Sequence, residues 1–438
     1  MPETTVSTAF QTISQLASLP AVHRAFQWFH LQEPQLRRWH REIASIPAPL
    51  FGERTRAEWL CQRFTELGLQ DVHIDSCGNA LGWLHGNQMY ATPATSVEKL
   101  NSDQPNAETG FSTDTRPCVL VSAHLDTVFA AELMRTPIEN ESLLLAPSVS
   151  DNSAGVTALL GMAAAMRSVD IPTDMDILFA GNVGEEGEGN LRGMRHLFIT
   201  SPIRHRIVSA VVLDGAGTES IVTQGLGSRR FRVAITGPGG HSWTDAGTPN
   251  PILALSAALL ELQKMAIPKQ PRTSWNVGRI DGGTVINAIP ERAEARIDMR
   301  STDAAQLDKM EISLRRAVEF AVHATNVNGL KAHSITAPLE CSIEMIGERP
   351  AARFPENART LSLIQAVDRH LNIRSEQRLA STDANIPLSL GIEAISIGSG
   401  GSGGGMHTRD EWYDATGRDL GLRRILLLLL ALTQIAND

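Results

Sequence analysis

The chain has 438 residues, which is enough for two or three domains at roughly 150 residues each. Hydrophobic residues make up 42% of the chain and charged residues 20%, as in an ordinary globular protein. The formal net charge of -9 argues against nucleic-acid binding, which needs a basic surface, so we expect no nucleic-acid partner.

Three features of the sequence bear on where the protein works. The four cysteines are widely spaced and form no CxxC pair, which favours free thiols in a reducing compartment. The first residues, MPETTVSTAFQTISQL, lack the basic segment and the apolar core of a secretory signal. The most apolar run, residues 425–436, is shorter than the about 20 residues that span a bilayer, and it predicts a terminal helix packed on the core. We therefore expect a cytoplasmic protein with no membrane partner.

The predicted fold begins with helices and a polar insertion. Residues 35–70 predict two helices separated by a loop that Pro47 and Pro49 stiffen, and the second helix ends at Gly68. The segment 85–117 is polar and has few large apolar residues. It predicts a long insertion between two strands.

Three short apolar runs then alternate with helical sequence. The runs are CVLVSAHLD, DILFAGNVGEE and IVSAVVLDG, and residues 154–169 between the first two predict a helix. Buried strands that alternate with helices indicate an α/β domain with a doubly wound, mostly parallel sheet. Each run ends in polar residues, at the sheet edge where such folds bind ligands.

From residue 226 the pattern changes to that of an α+β domain. Strand, helix, strand, strand, helix and strand follow one another, with the last strand expected over 330–337. This order is typical of a split-βαβ, ferredoxin-like sandwich. The later run AISIGSGGSGGGMHT predicts one more strand of the first sheet. We therefore predict a larger α/β domain of residues 1–225 and 341–438, interrupted by a satellite domain of residues 226–340.

Residues of metal-ligating type gather at the predicted carboxyl edge of the first sheet. They are His124, Asp126, Asp151, Glu185, Glu186, Asp214 and His407. His124 and Asp126 are two apart on an extended segment, so both side chains point to the same side. Taken singly, each residue has a structural explanation, and Asp151 before a helix could equally be its N-cap. Together, histidines and carboxylates are the ligand set of a metal such as zinc.

The adjacent acids Glu185 and Glu186 repel each other unless a positive centre holds them. Charge counting supports two metals. Asp151, Glu186 and Asp214 supply three negative charges, which two divalent cations and a bridging hydroxide balance. Glu186 would then bind metal, and Glu185 beside it would take a proton from the bound water.

Seven motifs carry a resemblance to a known family: HLDT, SDNSAG, GEEGEGNLRG, LDG, GGHSW, GGTVINAIP and GGGMHT, in this order. Over residues 40–435, the chain resembles the co-catalytic zinc peptidase family. That family includes tripeptide aminopeptidase, glutamate carboxypeptidases, aminoacylase and succinyl-diaminopimelate desuccinylase. The resemblance indicates a family but not a substrate.

The resemblance implies two Zn²⁺ ions per subunit, with Co²⁺ or Mn²⁺ as alternatives. His124, Asp151 and Asp214 would hold one ion. Asp151 would bridge to the second ion, which Glu186 and His407 would also hold.

The resemblance also implies roles for two residues beside the metals. Asp126 would orient a metal ligand, and Glu185 would be the general base. The chain departs from the family at Asn152, where an acidic residue often follows the bridging aspartate. The change removes one negative charge near the metals. The relative affinities of the two sites for their metal ions therefore do not follow from the sequence.

On the substrate side, the resemblance implies a satellite domain that dimerises and closes over the cleft. His241 would donate to the oxyanion, Asn287 would touch substrate polar atoms, and Arg300 would bind a substrate carboxylate. A surface-turn position for His241 and a solvated sheet face for Arg300 are the alternatives. Gly404 and Gly405 suit a loop that lets the backbone approach a ligand, and a flexible linker is the alternative.

Together with the metal-ligand pattern, the resemblance implies a zinc-dependent exopeptidase, for example an aminopeptidase, that hydrolyses amide bonds of short peptides. An N-acyl or N-carbamoyl amino-acid amidohydrolase is the alternative in the same chemistry, and a catalytically silent ligand-binding scaffold is a remote one. The edge strands of the predicted satellite sheet favour a homodimer, which could carry His241 of one chain toward the metals of the other. The substrate side chain, the peptide end and the physiological metal do not follow from the sequence.

Overall fold

A computed structural model of the chain describes residues 3–86, 115–330, 337–355 and 357–434. Within these ranges the α-helices are α1 (Glu3–Ala17), α2 (Pro20–Leu31), α3 (Glu33–Ser45), α4 (Arg54–Glu66), α5 (Ser153–Val169), α6 (Arg192–Arg195), α7 (Pro251–Leu262), α8 (Ala304–Leu330), α9 (Arg359–His370), α10 (Asn385–Ser389) and α11 (Arg418–Thr433). The β-strands are β1 (Gln70–Ile74), β2 (Ala80–Leu84), β3 (Cys118–His124), β4 (Ile138–Asn140), β5 (Leu143–Leu145), β6 (Asp176–Asn182), β7 (Ile207–Leu213), β8 (Ser220–Gly225), β9 (Gly227–Thr236), β10 (Gly240–His241), β11 (Thr273–Gly282), β12 (Ala288–Ile289), β13 (Arg292–Ser301), β14 (Glu340–Arg349), β15 (Ala352–Arg353), β16 (Glu376–Ala380), β17 (Glu393–Ile397), β18 (Ser402–Gly404) and β19 (Trp412–Asp414).

The larger sheet holds the three buried strands that the sequence predicts. Its strand order is β1-β2-β6-β3-β7-β17-β8-β15, and β16 pairs with β8. The central strands β6, β3, β7 and β17 run parallel to one another, whereas β1, β2 and β15 pair antiparallel toward the two ends. The predicted α/β fold with a mostly parallel sheet is confirmed.

Both faces of this sheet are covered, which explains why its central strands are continuous apolar runs. Every residue of β3 and β6 is buried. Val119 and Val121 of β3 belong to the core that α5 and α11 cover, and Leu120 belongs to the core on the other face, with residues of α6 and α10. The carboxyl ends of the strands are therefore the part of the sheet where polar side chains can gather.

Three further predictions concern the helices and the polar segment. The two helices expected over 35–70 are α3 and α4, and the expected terminal helix is α11, whose leucines between Leu422 and Leu432 are buried in the core. The polar segment 85–117 falls between β2 and β3, but residues 87–114 lie outside the described part of the chain. Across the described ranges, no helix has both the length and the hydropathy of a membrane span.

The satellite domain is a four-stranded antiparallel sheet on which two helices pack. Its strand order is β11-β13-β9-β14, and α7 and α8 share one hydrophobic core with it. The apolar stripe of α7 contributes Ile252, Leu255, Leu259 and Leu262 to this core. The chain order β9, α7, β11, β13, α8, β14 is the predicted ferredoxin-like arrangement. The domain boundaries remain predictions.

The last satellite strand does not lie where the sequence predicts it. The strand expected over 330–337 falls mostly on residues 331–336, which lie outside the described part of the chain, whereas Leu330 ends α8 and the fourth strand of the satellite sheet is β14, Glu340–Arg349. Helix α8 reaches Leu330, and a tertiary contact stabilises its last turns. The side chain of Asn326 accepts a hydrogen bond from the Leu339 N–H at 2.8 Å and donates one to the Leu339 carbonyl at 3.0 Å.

Candidate metal centre

Three groups of predicted site residues follow neighbouring parallel strands and meet at one edge of the larger sheet. His124 is the last residue of β3, Glu185 and Glu186 follow β6, and Asp214 directly follows β7. Because β3 pairs in parallel with both β6 and β7, these carboxyl ends lie side by side. The sheet thus brings together residues that are far apart in the sequence.

Asn152, rather than Asp151, caps the helix that begins beside this edge. Oδ1 of Asn152 accepts hydrogen bonds from the Gly155 N–H at 3.2 Å and the Gly215 N–H at 3.1 Å. Its Nδ2 donates to the Leu213 carbonyl at 2.9 Å, so the buried amide joins α5 to the end of β7. The N-cap role that sequence allowed for Asp151 falls to its neighbour, and the Asp151 carboxylate faces the site.

The carboxylate of Asp151 lies between two histidines. Its Oδ1 is 3.0 Å from Nε2 of His124, and its Oδ2 is 3.1 Å from Nε2 of His407. Nε2 of His407 is also 3.0 Å from Oε1 of Glu186, and Nε2 of His124 is 3.8 Å from Oδ1 of Asp214. Within each of three groups, the possible ligand atoms lie within 4.8 Å of one another: His124, Asp151 and Asp214; Asp151, Glu186 and His407; and His124, Glu185 and Glu186. The first two groups share Asp151. This mixture of imidazole and carboxylate donors fits a pair of zinc-type ions.

Asp126 contacts both His124 and the segment that carries Glu185 and Glu186. Its main-chain oxygen is 3.1 Å from Nδ1 of His124, so that nitrogen donates and Nε2 is the nitrogen that can bind a metal. Its carboxylate accepts hydrogen bonds from the backbone N–H groups of Glu185 at 3.0 Å and Glu186 at 2.7 Å. Asp126 therefore contacts the ring of His124 and the backbone of the loop that carries Glu185 and Glu186.

The converging charges shift the pKa values of these groups. Burial would lower the pKa of His124, but hydrogen bonds to Asp126 and Asp151 reverse this and raise it well above its ordinary value. The hydrogen bond to Asp151 raises the pKa of His407 to about 9. Burial raises the pKa of Glu186, and the charge of Asp151 adds to the rise. The site therefore favours positive charge, whether protons or cations supply it.

Glu185 is buried beside the ligands and is paired with Arg349. Nη1 of Arg349 donates to Oε1 of Glu185 at 3.1 Å, and Nη2 donates to the Glu185 carbonyl oxygen. Burial raises the pKa of Glu185 well above its ordinary value, and the charge of Arg349 opposes the rise. A carboxylate that readily takes up a proton in a cleft is suited to general-base chemistry. Sequence reasoning missed Arg349.

Two more buried acids behind the ligands are absent from the sequence prediction. Glu411 accepts hydrogen bonds from three backbone N–H groups, including that of Asp151, and burial raises its pKa to about 7. Asp383 accepts a 2.6 Å hydrogen bond from Nδ2 of Asn182, and burial raises its pKa to about 7 as well. The one local signal for Glu411 is its position shortly after His407.

A cleft of about 380 Å³ opens beside the ligands, and Arg300 lines it together with Arg230. Nε of Arg300 donates to Oδ2 of Asp298 at 2.7 Å, and Nε of Arg230 lies 3.3 Å from Oδ1 of the same carboxylate. The Arg300 side chain is 42% exposed. The structure therefore places both Arg300 and Arg230 at the cleft.

His241 and Asn287 are not among the residues that line this cleft. His241 lies on β10, which pairs with β12, and its side chain is exposed. Its Nδ1 accepts from the backbone N–H groups of Trp243 at 3.1 Å and Thr244 at 3.3 Å, so the neutral ring carries its proton on Nε2. The Asn287 carbonyl accepts a hydrogen bond from the Ser242 N–H, which makes the two predicted residues neighbours on the satellite domain.

The two predicted glycines have local structural reasons. Gly404 is in β18, where a Cβ would come within 2.9 Å of the indole nitrogen of Trp412. Gly405 has a φ of +69°, which favours glycine. Both shape the loop that leads to His407, and neither lines the cleft.

Comparisons with known sequences agree with this geometry. The chain matches the model described as Peptidase family M28 over residues 107–229 and the model described as Peptidase dimerisation domain over residues 225–326. It is 25% identical over 303 residues to a protein of Aspergillus flavus named "Probable carboxypeptidase". That match covers 64% of this chain and 66% of the relative, just under two thirds of its length.

Solved structures share the whole architecture. Aminopeptidase PepT from Bacillus cereus superposes with a TM-score of 0.66 at 16% identity, over 91% of this chain and 98% of that chain. A dinuclear metal binding peptidase from Bacillus subtilis superposes with a TM-score of 0.62 at 13% identity, over 91% of this chain and 98% of that chain. At these identities the likeness shows the fold. Together with the sequence matches, it confirms the predicted resemblance and the predicted two-domain fold.

Proposed function

We propose that this chain, which shares the ordered motifs and the fold of the co-catalytic metallopeptidases, is a two-metal hydrolase that cleaves amide bonds of short peptides. The observation that carries the proposal is the place of Asp151, with one oxygen facing His124 and the other facing His407. Glu186 and Asp214 complete the two ligand sets. Zinc is the proposed ion because imidazole and carboxylate are its ligands, with Co²⁺ and Mn²⁺ as alternatives. When bound, two such ions would activate water and polarise the scissile carbonyl.

Glu185 performs the proton transfer in this proposal. Its carboxylate takes a proton from the attacking water and returns it to the nitrogen of the departing amine. Asp126 supports this role because its two carboxylate oxygens hold the backbone N–H groups of Glu185 and Glu186. We also propose a cytoplasmic location, since the four cysteines form no disulfide.

Two arginines bear on which part of the substrate enters the cleft. We propose that Arg300, with Arg230 beside it, binds a substrate carboxylate. Asp298 offsets one of the two positive charges, which leaves one for the substrate. This arrangement suits a peptide with a free carboxyl end, in keeping with the name of the Aspergillus flavus relative. The same arginines would bind the carboxylate of an N-acyl or N-carbamoyl amino acid, so that activity is the second candidate.

We propose that His241 and Asn287 act from the partner subunit of a homodimer. Both lie on the exposed surface of the satellite domain and outside the lining of the cleft in their own chain. The Nε2–H group of His241 suits a donor to an oxyanion. The match of residues 225–326 to a peptidase dimerisation domain supports a homodimer.

A substrate panel tests the proposed function. The purified protein is stripped with a chelator, reloaded with Zn²⁺, Co²⁺ or Mn²⁺, and assayed on free, N-acetylated and C-amidated dipeptides and tripeptides and on N-acetyl and N-carbamoyl amino acids. We expect metal-dependent hydrolysis of peptides with a free carboxyl end, and its loss on amidation of that end. Hydrolysis that tolerates amidation would overturn the carboxylate assignment. Cleavage of the N-substituted amino acids alone would select the second candidate, and metal binding without any hydrolysis would favour a silent scaffold.

A further inference from the structure

Arg349 connects the satellite sheet to Glu185. It is the last residue of β14, where the chain leaves the satellite sheet, and it is 7% exposed. Its Nη1 donates to Oε1 of Glu185 at 3.1 Å, and its Nη2 donates to the main-chain oxygen of the same residue. One guanidinium thus binds both the side chain and the backbone of Glu185, which restricts rotation of that carboxylate.

Arg349 is also bound by the larger domain. Its Nη1 donates to the carbonyl oxygen and to the hydroxyl oxygen of Ser381, both at 3.2 Å. A few residues later, Nδ2 of Asn385 donates to the carbonyl oxygens of Leu226 at 3.0 Å and Pro350 at 2.9 Å, at the two places where the chain passes between the sheets. The position of the guanidinium is therefore fixed from β14 and from this loop together.

We infer that Arg349 is a positioning residue for Glu185, which orients the carboxylate in the cleft and leaves its Oε2 for proton transfer. The inference rests on the proposed function, because it needs Glu185 as the general base. Arg349 and Glu185 both line the cleft that contains the ligands. Two other roles compete with this one: an ion pair that only stabilises the fold, and a direct contact between Arg349 and the substrate.

The test compares substitutions at Arg349 with and without Glu185, in the full chain. The variants are Arg349→Gln, Arg349→Lys, Glu185→Gln and the two combinations of Glu185→Gln with an Arg349 variant. Arg195→Gln is the matched control, because Arg195 also contacts the end of β14, through the Glu348 carbonyl, but is otherwise bonded to Asn190. Metal content, unfolding midpoint, kcat and KM are measured for each variant with the best substrate of the panel.

We expect Arg349→Gln to lower kcat by about 10–100-fold, as loss of a supporting residue does, with KM changed less than about threefold and metal content unchanged. In the Glu185→Gln background the same substitution should change kcat less than about twofold, because no base is left to position. Arg349→Lys should recover part of the loss, since lysine supplies the charge but not the two-pronged geometry. Arg195→Gln should keep the wild-type kcat.

Three results would overturn the inference. An equal loss of kcat with and without Glu185 would show that Arg349 acts independently of Glu185. A rise in KM alone would show that Arg349 contacts the substrate. An unchanged kcat would show that its role is only structural. If Arg349→Gln does not fold, Arg349→Lys in the two backgrounds gives the same comparison. A Glu185→Gln variant with wild-type activity would refute the proposed function itself. If Glu185→Gln is inactive while Arg349→Gln is fully active, only this inference is refuted.

Discussion

The backbone N–H of Asp151 donates a 2.7 Å hydrogen bond to Oε1 of Glu411, which lies 260 residues later in the chain. The same carboxylate accepts hydrogen bonds from the backbone N–H groups of Ser148 at 2.8 Å and Ser150 at 2.7 Å. Because Glu411 is fully buried, water cannot readily replace it as the acceptor of these three donors. Glu411 therefore fixes the loop that carries the proposed bridging carboxylate.

We predict that Glu411→Gln weakens metal binding by about 10–100-fold, as loss of a group that supports a metal ligand does. The amide keeps the volume but turns one acceptor atom into a donor that faces backbone N–H groups. Competition with a chromophoric chelator measures the affinity. Glu393→Gln is the matched control, because Glu393 accepts from the backbone N–H groups of Arg359 and Thr360 at another helix start. Wild-type metal affinity in the Glu411 variant would contradict the prediction.

For Glu185, we predict that substitution by glutamine separates turnover from metal binding. Glu185 is assigned proton transfer and not metal ligation, so Glu185→Gln should keep its metal content while kcat falls by about 10²–10⁴-fold. Glu188→Gln is the control in the same loop, since Glu188 is 65% exposed and contacts Arg296. Metal analysis and the peptide assay on both variants decide. Hydrolysis by Glu185→Gln near the wild-type rate would show that the mechanism is wrong.

His407 should be needed for one metal ion only. Its side chain is 55% exposed, so His407→Ala should leave the fold intact while removing a ligand of the ion that Glu186 also holds. We predict that the metal content falls from two equivalents to one and that activity is lost. Mass spectrometry of the desalted protein for metal content tests this. Retention of two equivalents would exclude His407 as a ligand.

The central strands and their site residues could be predicted because one physical cause produces both signals. A strand covered on both faces must be apolar along its length, as in CVLVSAH and DILFAGN, and polar residues can follow only where it leaves the core. A histidine or an acid at such a strand end is therefore visible locally. Parallel pairing then implies that these ends lie together.

Side chains whose partners are distant in sequence could not be predicted in this way. Arg349 binds Glu185 across 164 positions, and Glu411 binds the loop of Asp151 across 260. Nothing in the sequence around Arg349 distinguishes it from a surface charge, and the position of Glu411 shortly after His407 does not reveal which backbone groups it binds. The contact between Asn326 and Leu339 that stabilises the last turns of α8 is likewise tertiary.

His40 predicts how stability depends on pH. It is fully buried, with Nε2 at 2.6 Å from the Val149 carbonyl and Nδ1 at 3.0 Å from Nη2 of Arg418, and burial lowers its pKa to about 3. An unfolded histidine has a pKa of about 6.5, so below that pH the unfolded state binds a proton that the folded state does not. The contribution of His40 to the free energy of unfolding is therefore fully present above pH 6.5. As the pH falls toward 3, this contribution is lost by on the order of 1.4 kcal/mol per pH unit.

Urea unfolding between pH 4 and 8, in the presence of a chelator, measures this slope. His40→Gln should reduce the slope of the unfolding free energy against pH by the contribution of one proton. His30→Gln, at an exposed position of α2, should leave that slope unchanged. An identical slope in wild type and His40→Gln would contradict the prediction.

Helix α7 and edge strand β11 of the satellite domain both expose apolar side chains. Leu253 and Leu260 of α7 are 65% and 64% exposed, while Leu255 and Leu262 of the same helix are buried. Edge strand β11 also has an exposed apolar residue, Ile280, at 56%. An exposed apolar helix face in a domain with an uncovered strand edge is typical of an interface.

We predict that the double variant Leu253→Asp with Leu260→Asp is a monomer, because a two-fold interface would have to bury its unpaired carboxylates. The variant should keep its metals, since their ligands lie outside the satellite sheet and its helices, and should lose about 10²–10³-fold in kcat if His241 donates across the dimer. Light scattering, metal analysis and the substrate panel measure these three properties. Leu31→Asp, on α2 and 71% exposed, is the matched control and should remain a dimer. A double variant that stays dimeric would place the interface elsewhere, and a fully active monomer would refute the role of His241 in the partner's cleft.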